Sequence, residues 1–348
     1  MNIIYDNLIY RLQKAGGIST YWSELTQRLI RDKANIHFVE NSDYNDNIAR
    51  KNLSIKQKQI LKNNDYPLFI DRFLSLPLTS FQQKFIFHSS YNRITSNRNA
   101  VHIMTVHDFV HERFYKGIRK ILHSYQKNKS LNKAEIIISV SENTKIDLLN
   151  LHPNLNPTNV RVVYNGVSDD FYITGKKDAV RPYLLFIGSR EHYKNFEFVV
   201  KLLKETPEFD LYIIGSELTK SEKRYLSLLK PERFKLLNNI NNSYLNQIYN
   251  SAYALIYPSS YEGFGIPLLE AMKAGLPFVA LNKSSIPEVA GNAGILIDEL
   301  NLELFKKALY SIDIDRNSLI KRGLLQSQKF SWEKCYQETK NIYKELSK

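Results

Sequence analysis

"YEGFGIPLLEAMKAGLPF", residues Tyr261–Phe278, sets Glu262 and Glu270 eight positions apart with Gly263, Gly265 and Pro267 between them. Glycine and proline interrupt any continuous helix over that span. Before it, Tyr253–Tyr257 (YALIY) is an apolar run of strand length, and Pro258–Gly265 is turn chemistry. Pro267 suits the first turn of a helix that continues through Leu268, Leu269, Ala271 and Met272, and Gly275 and Pro277 end it and open the next strand. Strand, loop, helix, strand is the crossover unit of a parallel α/β sheet.

The same rhythm runs through the whole chain of 348 residues, a length that suits two domains. In the second half, strands are expected at Tyr183–Ile187, Leu211–Ile214, Phe234–Leu237, Tyr253–Tyr257 and Pro277–Leu281. In the first half they are expected at Asn2–Tyr5, Ile36–Glu40, Lys84–Phe87, His102–Val106, Glu135–Val140 and Val160–Val163. The polar, turn-rich stretch Tyr164–Tyr183 separates the two series. The expected division is residues 1–165, residues 166–330, and a terminal helix over 331–348 that packs back on the first domain. Cys335 reads there as a packed side chain. The run Asp313-Ile314-Asp315 resembles a metal-binding pair, but its place after the last expected strand reads as turn and cap chemistry, with Asp315 or Asn317 as the cap.

Composition narrows the class. No window approaches a membrane-spanning apolar run, the first residues lack a secretory pattern, and a single cysteine excludes a disulfide framework. A cytoplasmic protein is the default expectation. The net charge of +13 is uneven: residues 1–165 hold 23 Lys and Arg against 13 Asp and Glu, a surplus of +10, and the remainder holds 25 against 22, a surplus of +3. Such a surface suits nucleic acid, an anionic leaflet or a phosphorylated substrate, or serves only solubility.

Ligands of open α/β sheets sit outside the carboxyl ends of the strands. There Glu262 hangs from a loop and Glu270 from a helix, and Gly263 and Gly265 offer backbone N–H groups at a helix N-terminus, a place for phosphate or sugar oxygens. A carboxylate also suits vicinal hydroxyls, accepting two hydrogen bonds. In the same domain "LLFIGSREHYKNF" leaves a strand at Gly188 and presents Arg190, Lys194 and Asn195. Two cations at a sheet edge suit a diphosphate. In the first domain Gly16 and Gly17 precede a helix expected over Ile18–Ile30, and a strand ends on His107 and Asp108. Each feature alone has an ordinary structural use: a surface pair, a turn, a cap.

Taken together, AGGIST, VHDF, VVYNGV, GSREHYKN, the glutamate loop and SSIPEVAG resemble, in order and over almost the whole chain, the family-4 retaining glycosyltransferases. The resemblance implies the GT-B fold, two facing Rossmann-like domains with a C-terminal helix crossing back. It implies that Glu270 binds the ribose of a sugar nucleotide, while Glu262, Gly263, Phe264, Gly265 and Ile266 lie by the donor sugar and phosphate. Arg190 and Lys194 would neutralise the leaving diphosphate, with Gly188 and Asn195 as further substrate-binding residues. Gly16 and Gly17 would approach the diphosphate, and His107 with Asp108 would contact the transferred sugar. No cofactor is implied, and the two cations suggest independence of metal.

The implied reaction moves a hexose, mannosyl or glucosyl, from a donor of the GDP-mannose or UDP-glucose type to a lipid-linked or polysaccharide acceptor, as in O-antigen or capsule synthesis. A noncatalytic nucleotide-sugar binder is the alternative. A phosphorylase of the same fold would need a pyridoxal phosphate lysine and a much longer chain. No helix-turn-helix, zinc or RNA-binding signature supports nucleic acid as partner. The basic stretch His111–Glu135 reads either as a core-packed helix with a solvated basic face or as a segment for an anionic membrane, which would place the enzyme peripherally at the inner face.

Overall fold

The computed structural model describes residues 2–41, 47–175 and 181–347. The chain divides into two compact units, one of Met1–Asn165 with Trp332–Lys348, the other Gly166–Ser331. Residues 176–180, inside the stretch read as the boundary, lie outside the described residues.

The first unit is built on seven parallel strands: β1 (Asn2–Asp6), β2 (Ile36–Glu40), β3 (Ile60–Lys62), β4 (Phe85–Ser89), β5 (Ala100–Val106), β6 (Ile136–Ser139) and β7 (Val160–Val162). Their order is β3-β2-β1-β4-β5-β6-β7. The second has β8 (Tyr183–Ile187), β9 (Asp210–Ile214), β10 (Phe234–Leu237), β11 (Ala254–Tyr257), β12 (Phe278–Leu281) and β13 (Ile295–Ile297), in the order β10-β9-β8-β11-β12-β13. Such strands are covered on both faces, which is why they read as unbroken apolar runs such as IIIS and YLLFI. In both sheets the order reverses between the first and fourth strands, β1 and β4 or β8 and β11, which opens a crevice at their carboxyl ends.

The three-residue strands β3 and β13 were not among the expected ones. Each lies at the edge of its sheet with one neighbour, so little pairing and no long apolar run marks it. A second correction concerns Asp313 and Asp315. They sit within a continuous helix, Leu302–Ser327, whose cap is Asn301, accepting from the Leu304 N–H at 3.2 Å. Asp313 pairs with Arg316 one turn on at 3.3 Å, and the polar run is simply the helix's solvent side.

In the second unit the sheet packs on helices Phe196–Glu205 and Leu302–Ser327, where Phe198 meets Phe305 edge to face at 4.9 Å. In the first, helix Trp332–Leu346 lies along helix Gly17–Arg31. Glu333 bonds Arg31 at 2.9 Å, the Tyr336 hydroxyl donates to Asp32 at 2.8 Å, and Cys335 is buried.

The basic stretch forms helices Val110–Phe114 and Gly117–Leu131. The longer one inverts the core-packed alternative: Ile118, Ile121, Leu122 and Tyr125 face outward, and His123, Gln126, Lys127 and Ser130 are buried. Polar groups tolerate this burial because they are paired. Lys127 reaches Glu112 at 3.0 Å and the Asp108 carbonyl at 3.0 Å, over the ring of Phe109.

Candidate functional site

At the switch point of the second unit two loops leave β8 and β11 side by side. β8 ends at Gly188, whose φ of +120° belongs to a region that a side chain disfavours; its N–H bonds the Ile214 carbonyl at 3.0 Å. A tight turn, His192–Lys194, follows, and Asn195, itself left-handed at φ 54°, starts helix Phe196–Glu205. From β11 the chain runs through Pro258 to Gly265, where φ is 103° and helix Ile266–Lys273 begins, with Pro267 in its first turn.

Hydrogen bonds fix these loops to each other. The Asn195 amide donates to the Pro258 carbonyl at 2.7 Å and the Ser260 hydroxyl at 2.8 Å, and the Ser260 N–H donates to the Tyr193 carbonyl at 2.8 Å. From behind, the Ser285 hydroxyl reaches the carbonyls of Glu262 (2.9 Å) and Phe264 (3.1 Å), and Ser284 donates to the first of these at 2.6 Å. Asn195 thus works as a clamp between loops.

Charge is distributed with little solvent. The Lys194 ammonium bonds the Glu262 carboxylate, both about nine-tenths enclosed (12% and 11% exposed), and lies 5.5 Å from the centre of the Tyr257 ring. Burial, and then Glu262 alongside, pushes the Tyr257 hydroxyl well above its ordinary range. Glu270 accepts from the Tyr249 hydroxyl at 2.7 Å. Burial raises its carboxyl to about 7, opposed by that hydrogen bond. Near neutrality this group is therefore poised between acid and carboxylate.

Arg190 departs from the pairing expected of it. Its side chain is 2% exposed and turned toward the end of β9, with Nε 2.9 Å from Glu222 and Nη2 donating to the carbonyls of Ser216 (2.8 Å) and Glu217 (2.9 Å). The two cations have different partners: Lys194 stands with Glu262, and Arg190 braces a neighbouring loop. Tyr249, Tyr257, Ser284 and Ser285 complete the site without having been singled out. Only the two serines lay in a recognised motif; the tyrosines read as ordinary strand and helix residues.

In the first unit the Gly16 carbonyl accepts from the Ser19 hydroxyl at 2.9 Å and the Thr20 N–H at 3.0 Å, opening helix Gly17–Arg31. Tyr21 of that helix meets the His107 ring edge to face at 4.9 Å. Burial holds His107 down at about 4, with Asp108 acting in the opposite direction. The Asp108 carboxylate accepts from the Val110 N–H at 3.0 Å, closing the turn that leads into the next short helix, whose N-cap is Phe109. Beneath lies a sealed polar chain. Tyr5 and Tyr343 bond through their hydroxyls at 2.7 Å, Tyr343 bonds His88 Nδ1 at 2.6 Å, His88 Nε2 bonds Thr105 at 2.9 Å, and Thr105 bonds Tyr21 at 3.1 Å. Burial drives His88 to about 3, so it is neutral there.

Chemically, the second unit offers a cation that an anion can draw away from Glu262, a helix N-terminus that favours negative charge, and a carboxylate for hydroxyl groups. Among the described residues no group of three or more His, Cys, Asp or Glu is gathered as for a metal ion.

Comparison with known proteins identifies the family. Residues 173–323 match the family described as "Glycosyl transferases group 1", and residues 15–171 match "Glycosyltransferase Family 4". The chain is 26% identical to the O-antigen chain mannosyltransferase B of Escherichia coli, over 95% of this chain and 96% of that one. Among solved structures, the sucrose-phosphate synthase of Thermosynechococcus elongatus superposes with a TM-score of 0.80 at 18% identity, covering 99% of each chain. Anabaena HepE, solved with UDP-glucose, superposes with a TM-score of 0.75 at 16% identity, covering 100% of this chain and 99% of that one. The fold is that of the GT-B enzymes, with two Rossmann-like domains on parallel sheets.

Proposed function

This chain belongs to the family-4 glycosyltransferases of the group 1 type, and from that premise we propose that it moves a mannosyl or glucosyl residue from a nucleotide diphosphate sugar, with retention, to a lipid-linked or polysaccharide acceptor. The observation that carries the reading is the spacing of groups at the second unit's switch point: Lys194 on Glu262, the helix start at Gly265, then Glu270 on Tyr249. It fits a donor laid along the loop, with its ribose hydroxyls on Glu270, its diphosphate over the amides of Gly263, Phe264, Gly265 and Ile266, and its sugar toward Glu262.

In the reaction the bond from the anomeric carbon to the diphosphate oxygen breaks as the acceptor oxygen bonds on the same face, and the acceptor's proton passes to the departing phosphate. Lys194 takes up the diphosphate charge in exchange for Glu262, and the helix N-terminus adds fixed dipoles, so that no divalent ion is needed. Arg190 contributes by holding the loop after β9. Mannosyl transfer in O-antigen synthesis is favoured by the name of the Escherichia coli relative, and a nucleotide-sugar donor by the ligand of the Anabaena protein. A lipid-linked acceptor sets the work at a membrane face, the inner one.

The test is a thermal-shift screen of GDP- and UDP-sugars, followed by turnover of Glu270→Ala. One donor should raise the melting temperature, and the variant should lose both the shift and the transfer. Turnover of wild type and variant at the same rate would leave only a binder or a different enzyme. Transfer abolished by EDTA and restored by Mn²⁺ would overturn the metal-free mechanism.

A further inference from the structure

Two helices of the first unit, one short and one of 15 residues, hold bare apolar side chains outward from a braced base. Helix Leu68–Asp71 exposes Phe69 (71%) and Ile70, yet its own Asp71 is buried, bonded to Arg93 at 2.5 Å, to Asn63 at 3.0 Å and to Arg11. Two buried arginines are thus engaged in fixing a helix whose Phe69 and Ile70 face water. On helix Gly117–Leu131 the outward residues Ile118, Ile121, Leu122 and Tyr125 fall at i, i+3, i+4 and i+7, one unbroken stripe. The two helices are tied: the Gln126 amide donates to the Arg72 carbonyl at 2.5 Å, and Arg72 donates to the Gln126 side chain at 3.4 Å. Exposed apolar residues scattered singly mean little, but a stripe and a second apolar helix on one braced base form a built surface.

Its charge names the occupant. Residues 113–134 contain seven Lys and Arg and no Asp or Glu, and Lys116, Arg119 and Lys120 are exposed beside the stripe. We propose that this face, formed by helices Leu68–Asp71 and Gly117–Leu131, docks on an anionic lipid bilayer, with the apolar stripe in the headgroup boundary and the cations on lipid phosphates. A second copy of the chain fits poorly, because a two-fold contact would set the same cations against one another. The proposal rests on the lipid-linked acceptor reading and deepens it. On its inner side the helix is bonded through Lys127 to the Asp108 carbonyl and to Glu112, so the docked element is tied directly to the strand end that carries His107.

The test is flotation of the full chain with phosphatidylcholine vesicles, with and without about a third phosphatidylglycerol, at about 0.15 M salt. Binding is expected to the anionic vesicles alone. The double variant Ile118→Asp/Ile121→Asp, and separately Phe69→Asp, should weaken it by about tenfold or more. Arg119→Glu/Lys120→Glu should weaken it by roughly 25-fold or more, since each cation near an anionic leaflet strengthens binding roughly fivefold. Ile314→Asp, at an 85% exposed apolar site on another helix, is the control and should bind as wild type does. All variants should melt as wild type does and keep the donor-induced thermal shift. Equal flotation with neutral vesicles, flotation untouched by these substitutions, or a dimer dissolved by them without any lipid binding would each overturn the proposal. Loss of the donor shift in the wild type would instead defeat the transferase reading and leave the docking result standing.

Discussion

At the switch point of the second unit, partners come from loops a few residues wide and each charged group is held by few bonds: Lys194 on Glu262, Glu270 on Tyr249. Under the His107 strand end of the first unit, the polar chain joins Tyr5 to Tyr343, 338 positions apart, and runs on through His88, Thr105 and Tyr21 with no exposed member. In the proposed reaction the first arrangement exchanges partners: an incoming diphosphate draws Lys194 from Glu262, and incoming hydroxyls join Tyr249 on Glu270. The second is closed, since each group in it already has its partner and an added ligand would have to break a bond. On that reading one sheet edge exchanges partners, while the residues beneath the other hold its strand ends in place.

The sharpest way to break this comparison is at Lys194. If its ammonium is the exchangeable cation, Lys194→Ala should lower kcat by about 10²–10³-fold, the effect of removing a group that meets charge developing in the transition state. Arg190→Ala should act differently. It leaves Glu222 with its Thr219 N–H bond at 2.7 Å but without the arginine, and should cost about 1–3 kcal/mol of stability, read by urea unfolding. Equal losses of turnover with unchanged stability in both variants would mean that Arg190 leaves Glu222 to meet the donor, and that the braced state is only a resting one.

The same contrast explains what the sequence disclosed. The glutamate loop could be read because its chemistry and its backbone constraints coincide within Tyr261–Phe278: Gly265 needs its left-handed φ and Pro267 starts the helix. Parallel strands buried on both faces announced themselves as apolar runs, and only the short edge strands β3 and β13 did not. Arg190 shows the limit. Its spacing from Lys194 placed it at the right sheet edge, but direction is decided by Glu222, 32 positions on, and by two carbonyls after β9. Tyr249 and Tyr343 escaped for the same reason. Each reads as an apolar helix residue, and its hydroxyl acquires meaning only from a partner brought near by folding.

A smaller effect tests the poise of Glu270. If ribose hydroxyls donate to the ionised carboxylate, as proposed, bound donor favours ionisation and affinity falls as pH drops below about 7, the value that burial imposes. The Tyr249 hydrogen bond lowers that value. Tyr249→Phe should therefore raise it, weaken nucleotide binding at pH 7 by about tenfold, and move the rise in affinity to higher pH. Calorimetric titration of the nucleoside diphosphate between about pH 6 and 9 measures this. An unchanged midpoint in the variant would show that Tyr249 supports the helix without tuning the carboxylate.

The mildest change belongs to the closed side. Tyr343→Phe removes one hydroxyl and leaves His88 Nδ1 and the Tyr5 hydroxyl without that partner in a fully buried place. Leaving such groups unpaired costs about 1–3 kcal/mol, which lowers the melting temperature by several degrees. The nucleotide affinity of the second unit should not move, because none of the chain's members belongs to it. A variant that melts normally would mean that water replaces the hydroxyl and that the network is less sealed than its burial indicates. A variant that melts lower and also loses nucleotide affinity would remove the division between an exchanging edge and a holding one, because a bond buried in the first unit would then be setting the behaviour of a site in the second.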